Sequence, residues 1–288
     1  MSSAGFVAML VFTRALSAAS FASHGFLEFP KTEEIGAMSG VELDAKGNIY
    51  VLHRGPKPVM VFDKKGKHIR SFGDGMFKVA HGLRADRQGN IWTTDNALHV
   101  LRKFTPEGKL LQTIGEEGKG GADETHFRSP DDIVFTTKGE MIVADAGNGR
   151  IVRLSADGKY LSAWGKKGKG PGEFAAAHGL AIDKQDRIYV ADRGNNRVQV
   201  FDVTGKQLGI WTGFGNPFGL LVYGNDLLVS DGDKNKISHL RLGDGGIAQQ
   251  WGDADVLKLP HLMARDKKGR LYVAEVNGKR VQIFDHKE

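Results

Sequence analysis

IYVADRGNNRVQVFD, residues 188–202, is the stretch on which the fold turns. Apolar, β-branched and aromatic residues flank a polar, glycine-containing turn, the composition of two antiparallel strands joined by a short connection. Working outward, its first half recurs as IYVLHRG (49–55), IWTTDNA (91–97), MIVADAG (141–147), LLVSDGD (227–233) and LYVAEVN (271–277). With residues 188–194 that makes six copies. A further strand precedes each copy, through a turn that reads D-x-x-G at 44–47, 86–89 and 266–269, and a G-K turn commonly leads to a last strand that can end in W-G. The first strands begin around Ser39, His81, Asp131, His178, Phe218 and His261, at spacings of 42, 50, 47, 40 and 43 residues. Four short strands per period of this length predict an all-β, six-bladed β-propeller.

The ends of the chain suggest how the ring closes. The sixth copy stops at VQIFDHKE (281–288) without a fourth strand, while FLEFPKTEEIG (26–36) precedes the first copy with no blade of its own. An N-terminal strand from this segment is expected to complete the last blade and remove an open edge. Residues 5–12 (GFVAMLVF) and the small residues after them resemble a secretory leader, although no basic residue precedes the run. The expected division is therefore a signal peptide or tail over 1–23 and the propeller over 24–288. Export to the periplasm or the exterior is the expected location, with the cytoplasm as the alternative. The apolar run is too short to span a bilayer, so no membrane association is expected.

Cysteine is absent from the 288 residues, which excludes disulfides and thiolate metal sites. The formal charge of +6 is dispersed over turns such as Lys64-Lys65 and Lys267-Lys268. It does not gather with aromatic side chains into a stacking surface, so nucleic acid is not the expected partner.

Three of the ten histidines share one repeat position: His81 and His178 in AHGL, and His261 in PHLM. They fall on the second, fourth and sixth blades, about 120° apart in a six-fold ring, where equivalent side chains converge on the axis. Packing alone would have to produce this alternation with Ser39, Asp131 and Phe218 by accident. Three neutral imidazoles with room for a fourth ligand suit an open zinc site, and copper, nickel or iron would also accept them. Arg54 and Arg193 end second strands on the same face and are candidates to clamp a carboxylate. His53, His99 and His126 lie in loops that could approach that face. His99 is the acid–base candidate among them, and His53 and His126 read as turn residues. Asp95, Asp145, Asp192 and Asp231 recur at one position in four blades, which points to loop bracing rather than catalysis.

The segments VADRGNNRVQVFD (190–202), MSGVELDAKGNIYVLHRG (38–55), AHGLRAD with TDNALH (80–99), HFRSPDD (126–132), AHGLAID (177–183) and LPH (259–261) carry a family resemblance. The repeats are NHL-like, and residues 36–285 resemble the catalytic core of the peptidyl-α-hydroxyglycine α-amidating lyases. The resemblance implies zinc on His81, His178 and His261, functional Arg54 and Arg193, and a channel calcium touched by the carbonyls of Val41 and Leu83. The implied reaction cleaves the N–Cα bond of a C-terminal α-hydroxyglycine, releasing an amide and glyoxylate. Two positions depart from that pattern. Leu262 stands where the family has a calcium-binding aspartate, and the loop Asp145-Ala146-Gly147-Asn148 lacks the family's tyrosine.

The expected function is thus a zinc-dependent lyase acting as a monomer on a small or peptide substrate with a carboxylate. A zinc hydrolase of esters, lactones or amides is the enzyme alternative. A non-enzymatic propeller binding RNA or protein is the third.

Overall fold

The structure is a computed structural model that describes residues 20–287. Six four-stranded antiparallel sheets are arranged as the blades of a β-propeller, and apart from two single-turn helices, Ala146–Asn148 and Arg193–Asn195, the described chain is strand and turn. The innermost strands are Met38–Leu43, Ala80–Ala85, Pro130–Phe135, Ala177–Ile182, Pro217–Tyr223 and Pro260–Arg265.

Burial explains why the strands read as they do. Inner strands are covered on both faces: Ile188–Asp192 is buried throughout, which is why IYVAD is apolar rather than alternating. The outermost strand of the same blade, Gln207–Trp211, alternates and leaves Leu208 and Ile210 in solvent. Neighbouring blades then pack face to face. Tyr189, Val198 and Val200 meet Leu220, Leu227 and Val229 between the fourth and fifth blades. Each such side chain contributes about 1.5–3 kcal/mol by leaving water.

The seam of the ring lies between the first and sixth blades, where Val41, Val51 and Met60 pack against Ala264, Tyr272 and Val281. The outer strand of the sixth blade is Ser20–Phe26, paired antiparallel with Arg280–Lys287. The closing strand therefore sits earlier than the segment 26–36 expected from the sequence. That segment instead crosses to the first blade, held where Leu27 N–H donates to Val281 O (2.9 Å) and buries its side chain. Residues 20–23, on the leader side of the expected boundary, belong to the closing strand. The remainder of the leader-like segment, residues 1–19, lies outside the described residues.

Each second strand ends on a side-chain acceptor that holds the loop entering its own blade. Asp95 accepts from the N–H of Lys78, Asp145 from Arg128, Asp192 from Ala175, Asp231 from Asn216 and Glu275 from Lys258. In the first blade His53 takes this place, its Nδ1 accepting from Gly36 N–H (3.2 Å) and Gly55 N–H (3.0 Å). The recurrent carboxylates are braces, and His53 is one of them.

Candidate metal centre

Ser39, His81, Asp131, His178, Phe218 and His261 are each the second residue of an innermost strand, so the fold places all six on one ring around the channel. Glycine follows at Gly40, Gly82, Gly179 and Gly219, and two of these positions show why. A Cβ on Gly82 would come within 2.7 Å of Asp131 O, and one on Gly179 within 2.2 Å of Phe218 O. The absent side chains let adjacent innermost strands close to near contact.

That closeness sets the histidines. His81 Nδ1 lies 2.8 Å from Asp131 O, His178 Nδ1 2.9 Å from Phe218 O, and His261 Nδ1 2.6 Å from Ser39 O. A carbonyl can only accept, so each Nδ1 carries the proton and donates it. Each Nε2 is left with its lone pair. The alternation in the sequence thus has a structural meaning: every histidine donates to the main chain of the intervening, non-histidine blade.

The three rings are buried, their centroids 4.8–4.9 Å apart and their planes 72–78° to one another. Their ligand atoms lie within 4.8 Å of one another, and His178 Nε2 is buried with no hydrogen-bond partner. Burial holds all three imidazoles below their ordinary range, His81 at about 4, and the positive charges of Arg54 and Arg193 act in the same direction on His81 and His261. Three neutral imidazoles, Nδ1 tied back and one Nε2 buried without a partner, form a donor set fit for a borderline transition metal.

The arginines stand around this cluster. Arg193 stacks on Phe218, its guanidinium carbon 4.8 Å from the ring centroid, and that ring lies 5.0 Å from His178 and 5.6 Å from His261. Arg54 lies at the exposed rim, its Nε donating to Ala80 O (3.3 Å). His99 is engaged elsewhere. Its backbone has φ +61°, its Nδ1 accepts from Ser129 N–H (3.0 Å), and its ring covers Gly120. The hydrogen bond props the loop that enters the third blade. His126 is on the surface beside Asp123 and Glu116.

One residue of the site escaped the sequence reading. Asp131 is buried with Oδ2 3.9 Å from His178 Nε2, and its Oδ1 accepts from Asn96 Nδ2 (2.7 Å). Burial pushes its carboxyl up to about 7 even though Asn96, Arg193 and Arg54 all favour the charged form. The available signal was its position: it shares the histidine register and follows Pro130, but as a carboxylate it read as variation in the repeat.

The comparisons with known proteins agree with this architecture. A family model described as a 6-bladed beta-propeller matches residues 121–210. Peptidyl-glycine alpha-amidating monooxygenase of Mus musculus is 34% identical over 181 residues, which cover 51% of this chain and 18% of that protein. The chain therefore spans about a fifth of the length of the first such relatives. Peptidyl-alpha-hydroxyglycine alpha-amidating lyase 2 of Drosophila melanogaster is 34% identical over 175 residues, 51% of this chain and 43% of that one. NHL repeat-containing protein 3 of Mus musculus is 33% identical over 291 residues, 90% of this chain and 82% of that protein. The chain belongs to the NHL-repeat family.

Among solved structures, a streptogramin B lyase superimposes on this NHL-repeat protein with a TM-score of 0.70 at 14% identity, covering 93% of this chain and 98% of that one. At that identity the likeness speaks for the fold.

The calcium implied by the lyase resemblance finds a poor setting in this NHL-repeat propeller. Val41 and Leu83 are buried in the innermost strands of the first two blades. Leu262 is fully buried as well, and its Cδ1 and the Leu83 side chain both close on the place where a Cβ of Gly40 would stand. An apolar contact thus occupies the position at which the resemblance needs a carboxylate oxygen.

Proposed function

We propose that this propeller is a metal-dependent lyase acting on a C-terminal α-hydroxyglycine or a related small carboxylated amide, with zinc held by His81, His178 and His261. The observation that carries the reading is the convergence of three buried, neutral imidazoles, each oriented by a main-chain carbonyl of another blade. Relatives named as amidating lyases support the choice of reaction. When bound, the metal supplies Lewis-acid polarisation of the substrate's hydroxyl oxygen.

The chain's own residues then divide the remaining work. Arg193, fixed against Phe218, and Arg54 at the rim bind the substrate carboxylate and set its orientation. Asp131 presents Oδ2 beside the histidines and takes the proton of the hydroxyl, while Asn96 holds its other oxygen. As the O–H bond gives up its proton, the carbon–oxygen bond becomes a carbonyl and the N–Cα bond breaks toward nitrogen. The nitrogen recovers a proton, so substrate equals amide plus glyoxylate without added water.

The test is glyoxylate release from α-hydroxyhippurate by zinc-loaded protein, run beside a simple ester and a lactone. Stoichiometric glyoxylate and benzamide are expected. Ester or lactone turnover without glyoxylate would replace the lyase by a hydrolase, and no turnover of any of them by metal-loaded protein would end the enzymatic reading.

A further inference from the structure

Next to the histidine ring, the third residues of the innermost strands form a second layer: Gly40, Gly82, Asp132, Gly179, Gly219 and Leu262. Two of these six positions carry side chains, and both are buried. Asp132 receives Arg84 in a two-point pair, from Nε to Oδ1 (3.1 Å) and from Nη2 to Oδ2 (2.6 Å). The same Nη2 donates to Leu180 O (3.0 Å), while Leu180 N–H donates to Asp132 Oδ2 (2.9 Å) and Ile133 N–H to Oδ1 (2.9 Å). One guanidinium thereby joins the second, third and fourth blades. Arg84 is 7% exposed and Asp132 1%, so the pair is well removed from solvent. Toward the first and sixth blades, the side chains of Leu83 and Leu262 both border the place where a Cβ of Gly40 would stand.

We infer that Arg84 is the structural cation of the channel, a covalently attached replacement for the divalent ion that the lyase resemblance implies. A calcium ion requires six to eight oxygens and a surplus of negative charge. Here the carboxylate of Asp132 is already committed to Arg84 through both oxygens, and the sixth blade supplies Leu262 in place of an anion. A second cation entering this layer would meet the Arg84 guanidinium, which also faces the Glu42 carboxyl, a group whose protonated form burial favours. Arg84 also borders an open depression of about 250 Å³ with Val134, Leu180 and Leu220, while Asp132 stays buried behind it. The inference concerns a layer separate from the histidines and holds whichever reaction they support.

The test uses the full chain with zinc held constant. Protein purified in millimolar calcium and then desalted should retain less than about 0.1 calcium per chain, and its unfolding midpoint should not move as calcium is raised to about 10 mM. Arg84→Met should lower the midpoint by roughly 10 °C, with no recovery on adding calcium, because it strands Asp132 as a buried, unpaired charge. Arg84→Lys should fall between the two, since an ammonium keeps the charge but loses the fork. If Arg84→Met does not fold, the calcium insensitivity of the wild type and the intermediate midpoint of Arg84→Lys carry the inference. Stoichiometric calcium in the wild type, a calcium-dependent midpoint, or an Arg84→Met protein as stable as wild type would each overturn it.

Discussion

His178 shows how much chemistry one side chain owes to its neighbours. Its Nδ1 is tied to Phe218 O and its Nε2 is buried without a hydrogen-bond partner. In His178→Ala the site keeps two imidazoles, so metal affinity should fall by more than the roughly 10–100-fold typical of losing an outer partner. Metal analysis after dialysis, with circular dichroism to verify the fold, checks this. Asp131→Asn keeps the shape and the contact with Asn96 but removes the proton acceptor. It should retain the metal and lose about 10²–10⁴-fold in kcat, measured on the glyoxylate assay. The metal-free protein should also be acid-sensitive. His81 releases its proton at about 4 in the fold but near 6.5 in the unfolded chain, so the unfolded state binds the extra proton between those values. Stability of the metal-free form should therefore be full above about pH 6.5 and decline as the pH falls toward 4, as followed by urea titrations. Bound metal keeps the folded imidazoles unprotonated, so it should preserve this dependence and extend it below pH 4. At this scale the three histidines were legible because the repeat lines them up. Asp131 was not, because a carboxylate near three imidazoles becomes meaningful only when its distance is known. The contact of His99 Nδ1 with Ser129 N–H was not legible either, because the sequence of a loop does not reveal a residue at positive φ.

Elements depend on the brace at the end of each second strand. Asp192 is fully buried and accepts from Ala175 N–H, Asn195 Nδ2, Arg197 Nε and Gln199 Nε2. Asp192→Ala would leave Arg197, only 8% exposed, without its charge partner. A loss of about 3–5 kcal/mol is expected, read from denaturant midpoints at unchanged slope. The variant should also release Arg193, the first residue of the single-turn helix that follows Asp192, and raise KM. The recurrent aspartates could be recognised as braces from repetition alone, since catalysis needs one such group and a ring needs several. Strand identity was legible for a related reason: blades bury both faces of their inner strands, so the apolar runs stand out between glycine-rich turns. The closing strand was obscure because SFASHGF (20–26) has small residues and a register shift between Ser23 and Gly25, and it follows a leader-like run.

For the whole molecule, closure is the step that turns six similar sheets into one cooperative unit. Removing residues 20–26 would bare the edge of Arg280–Lys287 and uncover Trp251, against which Phe21 stacks at 4.8 Å. Such a truncation should associate through the open edge, visible as a rise in hydrodynamic size by light scattering, with a lower unfolding midpoint than a chain beginning at residue 20. Number of blades, period and the existence of a special face were all readable from one repeated phrase. Which strand closes the ring and what fills its channel were not, because both depend on partners about 260 and 48 residues away, as in Ser23 with Phe284 and Arg84 with Asp132.

The donation of each histidine to the main chain of the next odd-numbered blade has an evolutionary consequence. Repeat proteins grow and shrink by copying or deleting whole units, and most positions tolerate such a change because each unit carries its own contacts. Here donors and acceptors occupy alternate units and close on themselves, His261 of the last pairing with Ser39 of the first. A seventh unit, or a fifth, would set two donors or two acceptors side by side and spoil the threefold symmetry at once. Once this centre exists, the size of the ring is locked, and later change is confined to loops and rims.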